Sequence, residues 1–247
     1  MRPLLLTLLL ALPVQAQLLQ PKVAKKSDLV TFSFSLFGAV PMGEFRNHEN
    51  GGGGADLVLG IQPFRREPLV IRTQVAALLY DGASAWGFQE VCDEFGSCWT
   101  ESVQYKARNH SMMMLHVGPE FMATDGKWRP FGYALAGWTF FNSWVNLKPE
   151  SPSGPDPETK SLFSSRNVSS IYGAGLRRVG TKIGREAGFE LSTRFVRNAS
   201  ARYLTEQGLY RRADGSYDVT PRIGAANVLT MHVGLWIGPH VNWNERR

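Results

Sequence analysis

Eight segments of the chain alternate apolar and polar residues with a period of two. In the first segment, Val30, Phe32 and Phe34 fall on one side, and the small polar residues between them fall on the other. This alternation is typical of a β-strand with one apolar face. The eight segments are residues 29–40, 55–61, 69–80, 105–121, 130–142, 168–178, 187–196 and 226–237. The sequence therefore predicts an all-β protein.

The side chains on the two faces of each predicted strand differ in size as well as in polarity. Large aliphatic and aromatic residues occupy one face, and the other carries glycine, alanine, serine and single charged residues. Small side chains fit the narrow interior of an eight-stranded barrel, so we assign the second face to the interior. In the fifth strand this assignment places four residues outside, namely Phe131, Tyr133, Leu135 and Phe141. It places four others inside, namely Gly132, Ala134, Ala136 and Asn142.

The connectors between the strands alternate strictly between long and short. The long ones are residues 41–54, 81–104, 143–167 and 197–225, and the short ones are 62–68, 122–129 and 179–186. A soluble β-domain has no reason to sort its loops by length, whereas a membrane-spanning barrel has short turns at one rim and long loops at the other. The pattern predicts an eight-stranded antiparallel up-and-down transmembrane β-barrel, with the glycines at 51–54 as a flexible end of the first long loop.

Aromatic residues gather near the ends of the predicted strands. Amphipathic rings favour the two interfaces of a bilayer, so we expect these residues to form the aromatic girdles of the barrel. They are Phe37, Tyr80, Tyr105, Phe121, Phe131, Phe141, Trp144 and Trp243.

The first residues have the features of a secretory signal peptide. The basic Arg2 precedes an apolar run at 4–12 and a small-residue ending at Ala16, which is the order that such peptides follow. The run is too short for a spanning helix, which needs about 20 apolar residues. We expect a signal peptide at 1–16, an N-terminal segment at 17–28, a barrel domain at 29–243 and a tail at 244–247.

The chain is basic, with a formal net charge of +6 that falls by one when Arg2 is removed. Its cationic residues are scattered through strands and turns and form no stripe or run. Proteins that bind nucleic acid carry clustered cations, so the pattern argues against a nucleic-acid partner.

Both cysteines, Cys92 and Cys98, lie in one long connector. In an exported chain, two cysteines this close favour a disulfide that closes a small loop. The alternative, a metal site, has only the carboxylates of Asp93 and Glu94 between the cysteines, and these match structural zinc poorly. We expect the disulfide and no metal or other cofactor.

Charged residues on the interior faces need partners, because an unpaired charge in a dry lumen is costly. We expect them to form a charge network that plugs the barrel, since eight strands leave no room for an open pore. The predicted members are Arg72, Lys106, Arg108, Glu120, Arg177, Glu190 and Arg194, with Asp56 as a further carboxylate.

The signal peptide, the eight alternating strands and the stretch FSLFGAVPMGEF at 34–45 resemble the small bacterial outer-membrane β-barrel proteins. The resemblance implies location in the cell outer membrane, with the termini and short turns in the periplasm and the four long loops outside. It also implies contact with outer-membrane lipid and lipopolysaccharide, and insertion by the barrel-assembly machinery.

Some barrels of this kind are lipid-modifying enzymes, so we searched the sequence for catalytic residues. His110 and Ser111 are adjacent in a strand and point to opposite faces. His116 shares a face with Glu120 and could pair with it, and His232 is a further candidate partner of Glu120. We expect no catalytic residues and a structural or surface-binding role through the external loops. The alternatives are a lipid-modifying outer-membrane enzyme and a secreted, lipocalin-like ligand-binding barrel.

Overall fold

The computed structural model describes most of the predicted barrel domain. The described residues are 30–63, 68–80, 84–92, 95–106, 110–123, 126–147, 158–182, 185–198, 200–205, 209–211 and 217–240. The predicted signal peptide, N-terminal segment and tail lie outside this part of the chain, as do Arg108, Trp243 and the side chains of Tyr105 and Lys106.

Strands account for nearly all of the described residues. They are β1 Val30–Met42, β2 Gly52–Ile61, β3 Leu69–Tyr80, β4 Ser84–Cys92, β5 Cys98–Lys106, β6 His110–Met122 and β7 Trp128–Leu147, followed by β8 Glu158–Lys182, β9 Arg185–Arg197, β10 Ala201–Tyr203, β11 Leu209–Arg211, β12 Tyr217–Val219, β13 Arg222–Gly224 and β14 Asn227–His240. A short 3₁₀ turn spans Gly43–Asn47. No helix in this part of the chain is long and apolar enough to cross a membrane.

Eight of the strands close into an antiparallel barrel. The hydrogen-bonded order is β7-β6-β3-β2-β1-β14-β9-β8, and β7 pairs with β8 to complete the ring. The first and last barrel strands pair along eleven residues, from Phe32 opposite Ile237 to Met42 opposite Asn227. Closure leaves no open strand edge within the ring. A sheet whose outside faces lipid must have no such edge, because its unpaired backbone groups would find no hydrogen-bond partner there. The predicted eight-stranded antiparallel barrel is confirmed.

The alternation of each strand decides which side chains fill the barrel. In β1, every second residue from Thr31 to Ala39 is buried and those between are exposed, as the sequence predicts. The same assignment holds in β2, β3, β6, β8, β9 and β14. Large apolar side chains therefore cover most of the outside of the barrel.

The predicted faces of β7 are wrong. Phe131, Tyr133, Leu135 and Phe141 are buried in the lumen, and Ala134 and Ala136 are exposed on the outside. The prediction treated bulk as a sign of the outer face, but this strand is apolar on both faces. Small side chains alone do not fill the interior of a barrel to the packing density of a protein core. The aromatic rings of β7 supply much of the missing side-chain volume.

The predicted aromatic girdles are wrong for half of their members for the same reason. Phe37, Tyr80, Phe131 and Phe141 are buried inside the barrel. Phe121 is exposed on the outside, as expected. The rings near the strand ends thus fill the interior more often than they mark the interfaces.

The connectors carry more regular structure than the sequence predicts. The glycines at 52–54 belong to β2 and pair with both neighbouring strands, so they are not a flexible loop end. The second long connector folds into the β4–β5 hairpin, whose last residues pair with the end of β7. Strand β7 is 20 residues long and β8 is 25 residues long. The sheet that they form therefore extends past the closed part of the barrel on the side of the long loops.

Candidate functional site

The lower half of the lumen, on the side of the short turns, holds a network of buried ion pairs. Glu120 is its centre: Arg72 Nη1 lies 2.5 Å from Glu120 Oε2, and Arg177 Nη1 lies 2.5 Å from Glu120 Oε1. Arg177 Nε also donates to Glu190 Oε2 at 2.9 Å. The four side chains are at most 2% exposed, so the bulk solvent that would screen their charges is absent.

Strand register explains how these four residues meet. Arg177 of β8 and Glu190 of β9 are directly opposite partners in the ladder. Arg72 comes from β3 and Glu120 from β6, two paired strands that β7 separates from β8. Because all four occupy inward positions of their strands, closing the barrel brings them together across the lumen.

The aromatic rings of β7 pack against the arginines of this network. The Arg72 guanidinium lies 4.2 Å from the centre of the Tyr133 ring, and that of Arg177 lies 4.1 Å from the Phe131 ring. A cation over an aromatic face gains electrostatic energy, and more so where water is excluded. The glycine of β8 at position 173 makes room, since a Cβ there would lie 2.3 Å from Tyr133 Cζ.

A second buried cluster lies beside the first and involves β1, β2, β9 and β14. Asp56 forms an ion pair with Arg194 and accepts a hydrogen bond from Ser35. His232 Nδ1 lies 3.3 Å from Ser35 Oγ, and its Nε2 lies 2.7 Å from Thr230 Oγ1. All five side chains are buried, and the four strands that carry them are neighbours in the ring, so the cluster lies along one side of the lumen.

Charges in the described strands of the lumen are balanced. Arg129 forms two hydrogen bonds with Glu186, of 2.5 and 2.8 Å, near the short turns. With this pair, the buried cations of the described strands are Arg72, Arg129, Arg177 and Arg194, and their buried carboxylates are Asp56, Glu120, Glu186 and Glu190. Among these strand side chains the two signs are equal in number, and a further buried carboxylate, Glu49, lies in the first loop.

The predicted network residues divide into three groups. Arg72, Glu120, Arg177 and Glu190 contact one another, and Arg194 belongs to the neighbouring Asp56 cluster. Lys106 and Arg108 fall outside the described side chains. The sequence reasoning missed Arg129, which precedes Pro130 at the start of β7. Arg129 lies two residues before Phe131 and therefore shares its face. Because a charged residue is expected to face the interior, this position also indicates that Phe131 faces the interior.

The histidines contact hydroxyl groups rather than Glu120. Both carboxylate oxygens of Glu120 are held by arginines, and His116 Nε2 instead lies 2.7 Å from Ser169 Oγ. His110 Nδ1 lies 2.7 Å from the Oγ of Ser143, its partner across the ladder. The pairing of His116 with Glu120, which the sequence allowed as a possibility, is therefore not formed. In the described part of the chain, no group of three or more His, Cys, Asp or Glu is placed to hold a metal.

Residues of two loops enter the outer mouth of the barrel. Phe45, from the 3₁₀ turn of the first loop, packs edge-on against Tyr80 at 5.5 Å and Tyr203 at 5.0 Å between ring centres. Tyr203 belongs to β10 in the last loop and lies 6.3 Å from Phe141 of the barrel wall. Phe45 and Tyr203 are fully buried. We call this cluster of Phe45, Tyr80, Phe141 and Tyr203 the mouth cluster.

The outside of the barrel carries an apolar belt on every side. Monomeric soluble proteins rarely expose contiguous apolar patches above a few hundred Å², whereas a lipid-facing barrel must. The belt excludes a secreted ligand-binding barrel, in which the large apolar side chains would line the interior. Its members include Phe32, Phe34, Leu36, Leu57, Leu59, Ile71, Val75, Met113, Leu115, Val117, Trp138, Tyr172, Phe189, Leu191, Met231, Val233 and Leu235.

Beyond the mouth, the β4–β5 hairpin and the ends of β7 and β8 form a sheet outside the barrel. Cys92 and Cys98 are direct partners in the hairpin ladder. Phe95, in the turn between them, is 92% exposed, and Trp99 is also exposed. Among the described strands, β4 pairs only with β5, so its outer edge is free of a neighbouring strand there.

Comparison with known proteins gives likeness of fold only. No protein-family model matches the chain, and no curated protein matches it. The chain is similar in structure to Neisserial surface protein A, with a TM-score of 0.48 and 7% identity over 87% of this chain and 99% of that one.

Two further solved structures are similar. Ail, the attachment invasion locus protein of Yersinia pestis, has a TM-score of 0.39 and 12% identity over 87% of this chain and 99% of its own. The outer membrane protease OmpT of Escherichia coli has a TM-score of 0.41 and 10% identity over 88% and 99%. The closed ring and the belt show the fold by themselves: this chain is an eight-stranded antiparallel β-barrel with a lipid-facing outer surface.

Proposed function

We propose that the protein is a non-conducting, non-enzymatic anchor that holds a binding surface, made by its long loops, above the outer membrane. The filling of the lumen at two levels carries this proposal. Ion pairs cross the lower half, and the mouth cluster occupies the top. A barrel of eight strands is only wide enough for side chains to fill, so a solute would have to displace both levels.

The buried histidines support the absence of catalysis. A serine hydrolase needs an accessible nucleophile, a base that accepts its proton, and an acid that orients the base. Ser143 and His110 are within hydrogen-bond distance, but both are buried beside the mouth cluster, where His110 stacks on Tyr80. Ser35, His232 and Asp56 are close together, but Arg194 engages the carboxylate and the cluster lies deep in the lumen. No substrate reaches either pair without removal of the loops.

The outer sheet supports the binding role. Large exposed aromatic side chains are enriched where proteins bind partners, and Phe95 and Trp99 lie at the tip of the hairpin. The ladder places Cys92 opposite Cys98, a spacing that suits a disulfide. We propose that this bond stiffens the tip, which lowers the entropy lost when a partner binds.

Labelling on intact cells tests the orientation and the disulfide together. Cells are treated with a membrane-impermeant maleimide, with and without a reductant that is also impermeant. We expect labelling of Cys92 and Cys98 only after reduction, and none in a Cys92→Ser/Cys98→Ser control. Labelling that requires permeabilised cells would contradict the external position of the loop that carries the cysteines. Labelling without reductant would contradict the disulfide between Cys92 and Cys98.

Planar-bilayer recording tests the closed lumen. We expect purified protein to insert, as judged by a heat-dependent shift in gel migration, without steady conductance. Steady single-channel conductance of the wild-type protein would overturn the closed lumen.

For the enzyme alternative, lipid extracted from cells that carry the protein or its His110→Ala variant is compared, and we expect no difference between them. Lipid altered by the wild-type protein alone would overturn the non-enzymatic role.

A further inference from the structure

A cavity interrupts the apolar belt near the outer rim. Its volume is about 470 Å³, within the range of about 300–1,000 Å³ that small-molecule sites have. Three strands line it, and the lining consists of Gly38, Ala39 and Val40 of β1, Gly51 and Gly52 at the start of β2, and Leu229 and Met231 of β14. None of these side chains is charged or polar, so the cavity offers an apolar solute contact on every wall.

The cavity exists because the outer face of β2 loses its side chains toward the rim. Leu59 and Leu57 give way to Ala55 and then to glycine at 53 and 51. The neighbouring strand has a glycine in the same place, since Gly38 is the ladder partner of Gly53. On the other side Gly38 faces Met231 of β14. Two bare backbones therefore lie between larger side chains, and the belt has a groove there.

We infer that this groove binds one acyl chain of a lipid in the leaflet on the loop side, which rests on the proposed placement of the long loops outside. The groove is continuous with the lipid-facing belt, so hydrocarbon is the surrounding solvent. An empty groove would forfeit dispersion contacts along its walls, and no lining side chain could hold water.

Packing alone decides how strongly such a chain is held. An acyl chain that moves from the bilayer into the groove leaves one hydrocarbon environment for another, so the hydrophobic effect contributes no free energy to its binding. Binding therefore depends on van der Waals contact between the chain and the groove. The groove offers that contact from residues of three strands, β1, β2 and β14. The bound chain also contacts Gly51, which directly follows the loop that carries Phe45 into the mouth cluster.

A photoreactive lipid tests the inference. The full-length protein is reconstituted into phosphatidylcholine vesicles that contain a phospholipid with a diazirine on its acyl chain, and labelled peptides are quantified by mass spectrometry. We expect the groove segments at 38–40, 51–52 and 229–231 to be labelled about fivefold more than the reference segment 57–61, a ratio equivalent to about 1 kcal/mol. Equal labelling of groove and reference would overturn the groove while leaving the membrane barrel intact.

Filling the groove gives the matched comparison. A Cβ at Gly38 meets no atom within 4 Å, so Gly38→Leu can occupy the groove without a clash, and we expect its labelling to fall to the reference value. Gly132→Leu adds the same side chain to the outside of β7, where a Cβ meets only the Gly173 carbonyl at 3.7 Å, and should leave the ratio unchanged. Groove labelling that persists in Gly38→Leu would overturn the site. Absence of label from both groove and reference would overturn membrane insertion itself.

Discussion

The lower and upper halves of the lumen are filled by different parts of the chain. Below, the side chains belong to the barrel strands themselves, with Glu120 between Arg72 and Arg177. Above, Phe45 and Tyr203 come from two loops. A strand-borne contact cannot open unless the ladder opens, whereas a loop can leave the mouth at the cost of its own contacts. We therefore expect the ion-pair level to determine global stability and the mouth cluster to determine access.

Removal of Glu120 should have the largest effect. Glu120→Ala leaves two buried guanidinium groups without their shared carboxylate, and breaking a buried ion pair from one side costs about 3–5 kcal/mol. The free energy of unfolding is measured by urea titration of the protein in phospholipid vesicles, with tryptophan fluorescence as the signal.

Met113→Ala is the control for Glu120→Ala, since it truncates an exposed side chain of the same strand, β6. We expect it to change stability by less than a quarter as much. Equal losses in the two variants would mean that the ion pairs contribute little to the difference between the halves.

Crowding the aromatic layer should have an intermediate effect. In Gly173→Ala the new methyl would lie 2.3 Å from Tyr133 Cζ, so the ring that covers Arg72 must shift, and overpacking of this kind costs about 1–3 kcal/mol. Gly132→Ala, on the outer face of the neighbouring strand, is the control and should be nearly neutral. An unchanged urea midpoint in Gly173→Ala would show that the ring is not confined by β8.

The smallest effect on global stability should come from the mouth cluster. Phe45→Ala removes a loop side chain, so we expect a loss below about 1 kcal/mol in the urea experiment and a local opening instead. Hydrogen exchange read by mass spectrometry should be about tenfold faster at Ala201–Tyr203, equivalent to ~1.4 kcal/mol.

Phe32→Ala, on the lipid face of β1, should leave that exchange unchanged. A global loss in Phe45→Ala as large as that of Glu120→Ala would refute the distinction between the two halves.

The sequence predicts the ring and most of its faces because lipid and lumen impose a period of two on each strand. Residues such as Arg194 and Glu190 cannot face hydrocarbon, so their side of the strand follows from charge alone. The prediction fails in β7, where both faces are apolar and the size of Phe131 or Ala134 does not say which is inside. It also fails for the partners of His116, because they depend on the stagger between strands, and alternation within one strand does not report stagger.

The length of the β7–β8 pair sets how far from the bilayer the protein can act. The 25 residues of β8 rise about 80 Å along the strand at about 3.3 Å per residue. At a tilt of about 40°, that is roughly 60 Å along the membrane normal, whereas the apolar band of such barrels is about 25 Å tall. More than half of the hairpin's height therefore stands clear of hydrocarbon, so its loop-side end lies beyond the bilayer surface.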